Sequence, residues 1–301
     1  MVNYDHAPSS GGAGVDNQPL SFIRTLRIGS WNVRSFSNVN SRKKVNDMLL
    51  KARVDICALQ ETKLKNDGVI DLPDFKLFYF GVDGSKRARN GVGFLIRRCL
   101  VDSLIEFCPV GKSDGRIAFL RFNKFSVVSA YCPTECNSTD KQETEFFKMV
   151  NQTIRMCPNR FPIFICGDFN ARIGKPDSKC VGPWYNYNRE LCSNNNGQFL
   201  LDVASNNNLF FPATFRRSSL CRRATWRSHK ALGKKGPKSS IFATIDHILF
   251  QRKFINSLID CRTYGSFTNI SDHRLLILTY RAKRVQFKKQ KKVRLMKIAW
   301  N

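Results

Sequence analysis

Four acidic side chains stand at or near the ends of separate apolar segments. Glu61 follows ICALQ, Asp168 follows IFICG, Asp246 lies inside FATIDHILF, and Asp272 comes shortly before LLILTY. A single acid at the end of a strand is usually a turn former. Four such acids, each with polar neighbours, predict a set of carboxylates that the fold gathers at one site.

The polar neighbours of these acids indicate the chemistry. They are Asn32 in GSWN, Asn170 in GDFN, Tyr131 in SAYCP and His273 in SDH. Carboxylate and amide oxygens without a thiol cluster are hard ligands that suit Mg²⁺ or Mn²⁺. A histidine beside such ligands can donate to a phosphoryl oxygen, and an acid behind it favours its charged form. The set predicts hydrolysis of a phosphate ester by water, and GxSxG, the acyl-transfer motif, does not occur.

Composition indicates the partner. The 301 residues include 50 Lys and Arg against 23 Asp and Glu, which gives a formal net charge of +27. Such an excess predicts a polyanionic partner, with nucleic acid first and an anionic membrane surface second. No apolar run approaches the length of a membrane span, and residues 1–20 contain no signal-like apolar segment. Eleven scattered cysteines without CxxC predict reduced, buried, intracellular thiols.

The pattern of apolar segments predicts many short strands and three helices. The strands are 26–32, 54–60, 91–98, 116–122, 125–131, 161–167, 242–250 and 274–280. The helices run from about 41 to 52, from Thr139 onwards behind a Thr139/Gln142 capping box, and from about 197 to 206. The Asn194–Asn196 run before the third helix is interpreted as a loop. This order predicts two packed sheets covered by helices.

Three regions differ in composition. Residues 1–23 are predicted to be a disordered leader, 24–281 one domain, and 282–301 a basic tail or linker. A second acid-free stretch, 216–238, is basic and lies just before the segment that carries Asp246. A solvated charge run is the usual explanation of such stretches. The position of 216–238 favours a loop that faces substrate, whereas the sequence does not separate the two explanations for the tail.

Six motifs in order resemble the endonuclease/exonuclease/phosphatase superfamily over about residues 24–281. They are SWNVRS (30–35), LQETK (59–63), SAYCP (129–133), CGDFNARIG (166–174), TIDHIL (244–249) and SDHRLL (271–276). NGVGFLI (90–96), Thr225-Trp226 and TIDHIL further resemble the endonuclease domains of LINE-type retrotransposons and the craniofacial development protein 2-like proteins. The resemblance implies an α+β, DNase I-like fold, a four-layer αββα sandwich.

The resemblance also implies a metal side and a water side of the site. Glu61 would bind the divalent metal, Mg²⁺ or Mn²⁺, with Asn32 beside it and Asp272 in support. Asp168 would orient or deprotonate the attacking water, and Asn170 would hold the nucleophile or the phosphate. The products would be a 3′-hydroxyl and a 5′-phosphate.

The resemblance also implies residues that stabilise the negative charge of the reacting phosphate. His273, oriented by Asp246, would stabilise the pentacovalent phosphorus, and Tyr131 would contact the scissile phosphate. His247 alternates with Asp246 along its strand and is therefore interpreted as structural. Trp31 and Trp184 are interpreted as packing residues.

Five of the six candidates for contact with DNA lie in the basic stretch 216–238, and the sixth, Arg116, flanks a predicted strand from which it could reach phosphate. The six are Thr225, Trp226, Arg116, Arg222, Arg223 and Arg227. Packing is an equally good explanation for Trp226, and Arg116 could instead guard a strand edge.

The leading hypothesis is a Mg²⁺-dependent DNA endonuclease of the retrotransposon type that acts in the nucleus. RNA is a second substrate to consider, and a reverse transcriptase domain would be a partner that this chain does not include. A phosphatase or phosphodiesterase acting on lipids or small molecules is one alternative, because one fold serves many substrates. A catalytically inactive DNA-binding module is the other.

Overall fold

Two seven-stranded β-sheets pack face to face, and helices cover their outer faces. The computed structural model describes residues 23–111, 114–134, 139–174, 179–185, 192–228, 242–265, 269–285 and 294–295. The predicted α+β class and αββα layering are confirmed. The predicted leader up to residue 22 and the last part of the predicted basic loop, 229–238, lie outside the described residues.

The described elements follow one another closely along the chain. The strands are β1 (Ile23–Asn32), β2 (Ile56–Gln60), β3 (Asp67–Asp71), β4 (Phe75–Phe80), β5 (Val92–Arg97), β6 (Leu104–Val110), β7 (Ile117–Phe122), β8 (Ser126–Tyr131), β9 (Ile163–Asp168), β10 (Leu209–Phe210), β11 (Trp226–Arg227), β12 (Phe242–Ala243), β13 (Asp246–Gln251), β14 (Leu258–Tyr264), β15 (Leu275–Val285) and β16 (Arg294–Leu295). The helices are α1 (Val39–Lys51), α2 (Arg98–Val101), α3 (Asp140–Met156), α4 (Asn195–Asn206), α5 (Pro212–Phe215) and α6 (Leu220–Arg223), with a 3₁₀ helix at Arg252–Ser257.

The strand order brings particular strand ends together. The first sheet has the order β14-β15-β1-β2-β5-β4-β3, the second β10-β13-β9-β8-β7-β6-β16, and β11 pairs with β12 alone. β1 runs parallel to β2, and β8 runs parallel to β9, with Tyr131 opposite Asp168. β13 is antiparallel to β9 and begins with Asp246 opposite Asp168. Parallel strands end at the same edge of a sheet, so the ends of both pairs and the start of β13 define one end of the sandwich.

Aromatic side chains hold the two sheets together. Phe164 of β9 stacks on Phe250 of β13, with ring centroids 5.1 Å apart, and Tyr280 of β15 meets Phe164 edge-on at 5.6 Å. Burial of one such side chain contributes about 1.5–3 kcal/mol. Six of the nine described free cysteines are buried in these layers, as the sequence predicts.

The helices begin at side-chain caps. The predicted capping box of α3 is confirmed, with Thr139 and Gln142 bonding to each other's backbone amides. Asn194 caps α4 by accepting from the Gly197 amide at 3.0 Å, so α4 begins at Asn195, within the run interpreted as a loop. None of the helices in the described ranges combines the length and apolar character that spanning a bilayer requires.

The structure changes two predicted boundaries. The predicted strand 242–250 is divided into β12 and β13, because the Thr225 hydroxyl accepts from the Ile245 and Asp246 amides at 3.0 and 3.1 Å. The predicted basic tail is partly incorporated in the sheets. β15 continues to Val285 opposite Ile23, and β16 pairs with β6 at the edge of the second sheet.

Candidate active site

One buried amide connects the two sheets at this end of the sandwich. Asn32, the last residue of β1, donates from Nδ2 to Glu61 Oε1 at 2.9 Å and to Asp168 Oδ2 at 2.8 Å. Its Oδ1 accepts from the Arg34 amide at 2.9 Å. Only the NH₂ end of an asparagine can donate to two carboxylates, so these bonds fix the orientation of the side chain. Asn32 therefore sets the distance between Glu61 and Asp168.

Glu61 is the site carboxylate with the most exposed side chain, at 18% against 2% for Asp168. It directly follows β2 with a left-handed backbone, φ 51°, a conformation that costs a non-glycine residue about 1–2 kcal/mol. Its Oε1 also accepts from the Tyr131 hydroxyl at 3.0 Å, and its Oε2 lies 3.1 Å from Lys63 Nζ. Burial and the neighbouring Glu61 raise the pKa of Tyr131, so the phenol stays a donor.

Asp168 and Asn170 are held by the turn after β9. Asp168 Oδ1 accepts from the Asn170 amide at 3.1 Å, and Asn170 Nδ2 donates to the Cys132 carbonyl at 2.9 Å. Asn170 has φ 47°, a left-handed conformation that asparagine adopts more readily than most residues. Burial, and then Asp246, raise the pKa of Asp168 to about 7 against the opposing effect of His273. Asp168 can thus gain or lose a proton near neutral pH.

Asp246 and His273 form a buried pair beside Asp168. His273 Nδ1 lies 3.0 and 2.9 Å from the two Asp246 oxygens, and its Nε2 lies 3.8 Å from Asp168 Oδ2. Burial lowers the pKa of His273, but Asp246 and Asp168 raise it by more, to about 9. His273 is therefore a cation at neutral pH, with Nε2 directed at the space beside Asp168.

Asp272 connects the site to its rim. Its Oδ2 accepts from Trp226 Nε1 at 3.2 Å, and its Oδ1 lies 3.4 Å from Arg34 Nε. Arg34 is half exposed and has φ 57°. The sequence interpretation missed Arg34 and Lys63, although both lie inside the quoted motifs SWNVRS and LQETK. Arg34 lies two residues after Asn32, and Lys63 lies two residues after Glu61. This spacing from predicted site residues was the signal that could have identified them.

The structure corrects two of the residues predicted to contact DNA. Thr225 is 2% exposed and its hydroxyl is used by the amides at the start of β13, so it positions Asp246 instead. Arg223 is 8% exposed, donates twice to the Ser218 carbonyl and lies 4.7 Å above the Trp184 ring, so it braces the fold.

The other four predicted DNA contacts lie nearer the surface. Arg116 donates to the Tyr131 carbonyl at 3.1 Å and lies 5.3 Å from its ring, which supports Tyr131 from outside. Arg222 is exposed, whereas Trp226 and Arg227 are half-buried. The Arg227 amide donates to the Asp272 carbonyl at 2.9 Å, so its main chain belongs to the site rim.

Two residues interpreted as structural are buried in the protein interior. His247 Nε2 lies 2.8 Å from the Ala171 carbonyl, its ring meets Phe211 edge-on, and burial lowers its pKa. Trp31 is fully buried and donates to the His273 carbonyl at 3.0 Å. Trp31 therefore packs, as predicted, and also fixes the main chain of His273.

The donor set at this site suits a hard divalent cation. Ligand atoms of Asp168, Asp246 and His273 lie within 4.8 Å of one another. Asp246 and His273 use these atoms to bond to each other, however, so Glu61 offers the more accessible oxygen for a cation. Asn32 directs its NH₂ group at Glu61 and its oxygen at the Arg34 amide, so it positions Glu61 and would have to turn to become the predicted ligand.

The His273 pair predicts how stability depends on pH in a chelating buffer. The pKa of His273 in the folded protein, about 9, exceeds its ordinary value of 6.5, so its contribution is present below pH 6.5 and lost as the pH rises to 9. We expect a loss of about 3 kcal/mol across that interval, since one pKa unit is about 1.4 kcal/mol. Urea unfolding of the wild type and His273→Gln at both pH values measures it, and parallel pH profiles would contradict the assignment.

Comparisons with known proteins agree with this fold. The model of the Endonuclease/Exonuclease/phosphatase family matches residues 29–273. Craniofacial development protein 2 of Tragulus javanicus is 25% identical over 260 residues, which are 85% of this chain and 42% of that protein. The chain thus spans about two-fifths of the length of this relative.

Solved structures show the same fold at low sequence identity. The AP endonuclease LMAP from Leishmania major has a TM-score of 0.65 and 13% identity over 86% of this chain and 89% of its own. A single-residue variant of the 3′ phosphatase NExo from Neisseria, bound to a product DNA hairpin, has a TM-score of 0.61 and 18% identity over 85% and 99%. These likenesses confirm the predicted DNase I-like sandwich.

Proposed function

From the premise that this chain belongs to the endonuclease/exonuclease/phosphatase family, a family of phosphoester hydrolases, we propose that it is a divalent-metal-dependent DNA endonuclease. It cuts one strand by attack of water and leaves a 3′-hydroxyl and a 5′-phosphate. One observation carries the proposal: a continuous hydrogen-bonded chain runs from Glu61 through Asn32 to Asp168, which lies 3.8 Å from the His273 cation.

The two ends of this hydrogen-bonded series have different roles in the reaction, and Asp168 acts on the attacking water. Asp168, with a pKa of about 7, takes a proton from the attacking water, a step for which a pKa near the working pH is best. Asn32 and the Asn170 amide each hold one oxygen of Asp168, so its direction is set before substrate arrives. The 3.8 Å between Asp168 Oδ2 and His273 Nε2 is too long for a hydrogen bond and leaves both directed at a reacting group.

His273 and the metal side stabilise the charge that develops on the phosphoryl oxygens. His273 donates from Nε2, and Asp246 keeps it charged through Nδ1. Removal of one such donor typically lowers the rate about 10²–10³-fold. A divalent cation held by Glu61 would act as a Lewis acid on a phosphoryl oxygen. The Tyr131 hydroxyl and Asn32 fix Glu61, and Tyr131, beside this carboxylate, would contact the scissile phosphate.

Charge and motifs support DNA as the substrate. The net charge of +27 favours a polyanion over a neutral or singly charged small molecule. Arg222 is an exposed cation, and Arg34, half exposed beside Asp272, lies at the site rim, so both could contact a phosphate backbone. The resemblance to LINE-type endonuclease domains supports a finer proposal, in which the chain nicks chromosomal DNA in the nucleus for a reverse transcriptase.

The direct test is nicking of supercoiled plasmid by the purified chain in Mg²⁺ and in Mn²⁺, with an intact and an abasic duplex alongside. Relaxed circles should accumulate with either metal and should disappear in EDTA. Cleavage that persists in EDTA, or turnover of a phosphoinositide without cleavage of any DNA, would contradict the proposal.

Glu61 provides a prediction about the metal. Glu61→Gln removes the carboxylate charge but keeps the acceptor for Tyr131, so we expect the Mg²⁺ concentration for half-maximal nicking to rise at least about tenfold, equivalent to about 1.4 kcal/mol. Isothermal titration of Mg²⁺ into the protein without DNA checks the same point without turnover. Glu145→Gln, at an exposed position on α3, is the matched control. Equal Mg²⁺ affinities in the two variants would place the metal elsewhere.

A second candidate is action at DNA ends. The likeness to the 3′ phosphatase NExo favours it. A linear duplex with a 3′-phosphate, incubated beside the closed plasmid, distinguishes the two activities. Release of phosphate with the plasmid intact would favour the end-directed enzyme.

A further inference from the structure

A cleft of about 910 Å³ opens along the edge of the sandwich next to the Asp246–His273 pair. Its walls come from the segment around α5 and α6, from β13 and β14, and from residues 184–185. It meets the site at Asp246 and Thr225. We call it the arginine cleft after the arginines that line it. Most of these charged residues have no role in the chemistry proposed above.

The charge of the arginine cleft is strongly positive. Seven arginines and two aspartates are among its described lining residues. Both carboxylates are engaged, since Asp246 bonds to His273, and Asp260 pairs with Arg216 and, at 2.8 Å, with Arg262. The exposed Arg217 and Arg222 add charge that no carboxylate of the lining offsets. A concave wall of one charge concentrates ligands of the opposite charge.

Aromatic side chains lie among these arginines. Trp184 and Tyr185 are half-buried residues of the lining. Two hydrogen bonds from Arg223 to the Ser218 carbonyl, at 3.1 and 2.7 Å, hold its guanidinium 4.7 Å from the centre of the Trp184 ring. Trp184 therefore has a fixed position before any ligand binds. Aromatic rings in a basic groove are what unpaired nucleobases stack on.

The size of the cleft decides between a single strand and a duplex. Cavities of about 300–1,000 Å³ typically enclose one drug-sized molecule. The arginine cleft can therefore take a few nucleotides of one strand, whereas a duplex is too thick to enter and keeps its bases stacked inside. The combination of phosphate-binding arginines and accessible rings fits an unpaired polynucleotide better than a simple anion.

We propose that the arginine cleft binds an unpaired stretch of the DNA strand adjoining the cleavage site. Arg217 and Arg222 contact its phosphates, and a base stacks beside Trp184. The choice of DNA rests on the proposed function, whereas the site itself rests on the cleft geometry. Such a subsite makes the enzyme prefer duplexes that are open beside the cut.

Binding of a short oligodeoxythymidylate, which cannot pair with itself, tests the proposal. Fluorescence anisotropy is measured in EDTA on the full chain carrying Asp168→Asn, so that no cleavage intervenes. Adding Arg217→Glu and Arg222→Glu together should weaken binding at least tenfold, and should reduce the slope of log affinity against log salt by about 1.4, since each lost phosphate contact on a single strand contributes about 0.7.

Trp184 supplies the test of stacking. Trp184→Ala should weaken binding about 5- to 150-fold, the equivalent of about 1–3 kcal/mol, with the salt slope unchanged. Trp184→Phe keeps a ring and should recover most of the affinity, which separates stacking from a general loss of structure.

The matched control changes the same charges elsewhere. Lys148→Glu with Arg155→Glu alters two exposed residues of α3, on the outer face of the second sheet. An equal loss of affinity in this control would mean that the arginines act only through the overall positive charge of the protein, and it would overturn the proposal. So would full competition by inorganic pyrophosphate, equally tight cleft-dependent binding of a blunt duplex, or tighter binding of an oligouridylate.

The proposal about the cleft and the proposed function can be overturned independently of each other. Plasmid nicking without cleft-dependent binding of oligodeoxythymidylate would overturn the cleft alone. Cleft-dependent binding by a protein that never cuts DNA would overturn the endonuclease alone.

Discussion

Asp168→Asn is expected to lower the rate of DNA nicking about 10²–10⁴-fold, the range that a positioned general base contributes. The pKa of Asp168, about 7, allows it to accept a proton near neutral pH, and an amide at the same place cannot accept one. The substitution keeps the size of the side chain. It also keeps the acceptor for the Asn170 amide, so the turn after β9 should be retained. Single-turnover nicking at saturating enzyme measures the chemical step without product release.

The control for this substitution is Asp202→Asn on the exposed face of α4, which removes the same charge far from the site. It should leave the nicking rate unchanged, and both variants should bind plasmid DNA in EDTA as the wild type does. A variant at Asp168 that nicks within threefold of the Asp202 variant would show that another group accepts the proton.

Asp246→Asn is expected to lower nicking about 10²–10³-fold at pH 8, the effect of losing one charged donor. Asp246 is the largest influence that raises the pKa of His273, which reaches about 9 in the folded protein. Without that carboxylate the pKa of His273 falls, so the cation is lost at a lower pH. The deficit of the variant should therefore widen from acidic to alkaline pH, and the pH profile of the single-turnover rate measures it.

His273→Ala tests whether Asp246 acts through His273. If it does, the variant carrying both Asp246→Asn and His273→Ala should be no slower than His273→Ala alone, because residues that act as a unit are not additive. A pH profile of Asp246→Asn that parallels the wild type at a lower rate would mean that Asp246 only orients the ring.

The convergence of the acids could be predicted because strand direction determines it. Glu61 directly follows β2 and Asp168 ends β9, and each of these buried strands runs parallel to a neighbour in its own sheet, β1 and β8. Parallel strands end at one edge of their sheet, which brings Asn32 near Glu61 in the first sheet and Tyr131 beside Asp168 in the second. The apolar runs of β2 and β9, buried along their whole length, made these strands easy to recognise.

The functions of individual polar side chains could not be predicted in the same way. Thr225 and Arg223 lie in a basic stretch and were expected at the surface, yet both are buried and bonded within the protein. Spacing along the chain does not reveal which carbonyl or amide a side chain will meet after folding. Arg34 and Lys63 reach the site carboxylates from left-handed backbone positions, φ 57° and 53°, which sequence patterns rarely indicate.

The strands that sequence reasoning missed are mostly at or near sheet edges. β3 and β14 are the edge strands of the first sheet, and β3 alternates between exposed and half-buried residues. Edge strands carry charged residues that prevent pairing with other chains. Their composition therefore resembles that of loops, whereas the central strands form continuous apolar runs.

The division of the site between two sheets has a consequence for how activity is acquired during folding. Asn32 ends β1, Glu61 follows β2 and His273 precedes β15 in the first sheet, whereas Tyr131, Asp168 and Asp246 lie in strands of the second. Neither sheet contains both the proton acceptor and the cation, so an intermediate with only one sheet formed would be catalytically silent. Recovery of nicking after dilution from denaturant would report the docking of the sheets, whereas circular dichroism would report the earlier formation of strands.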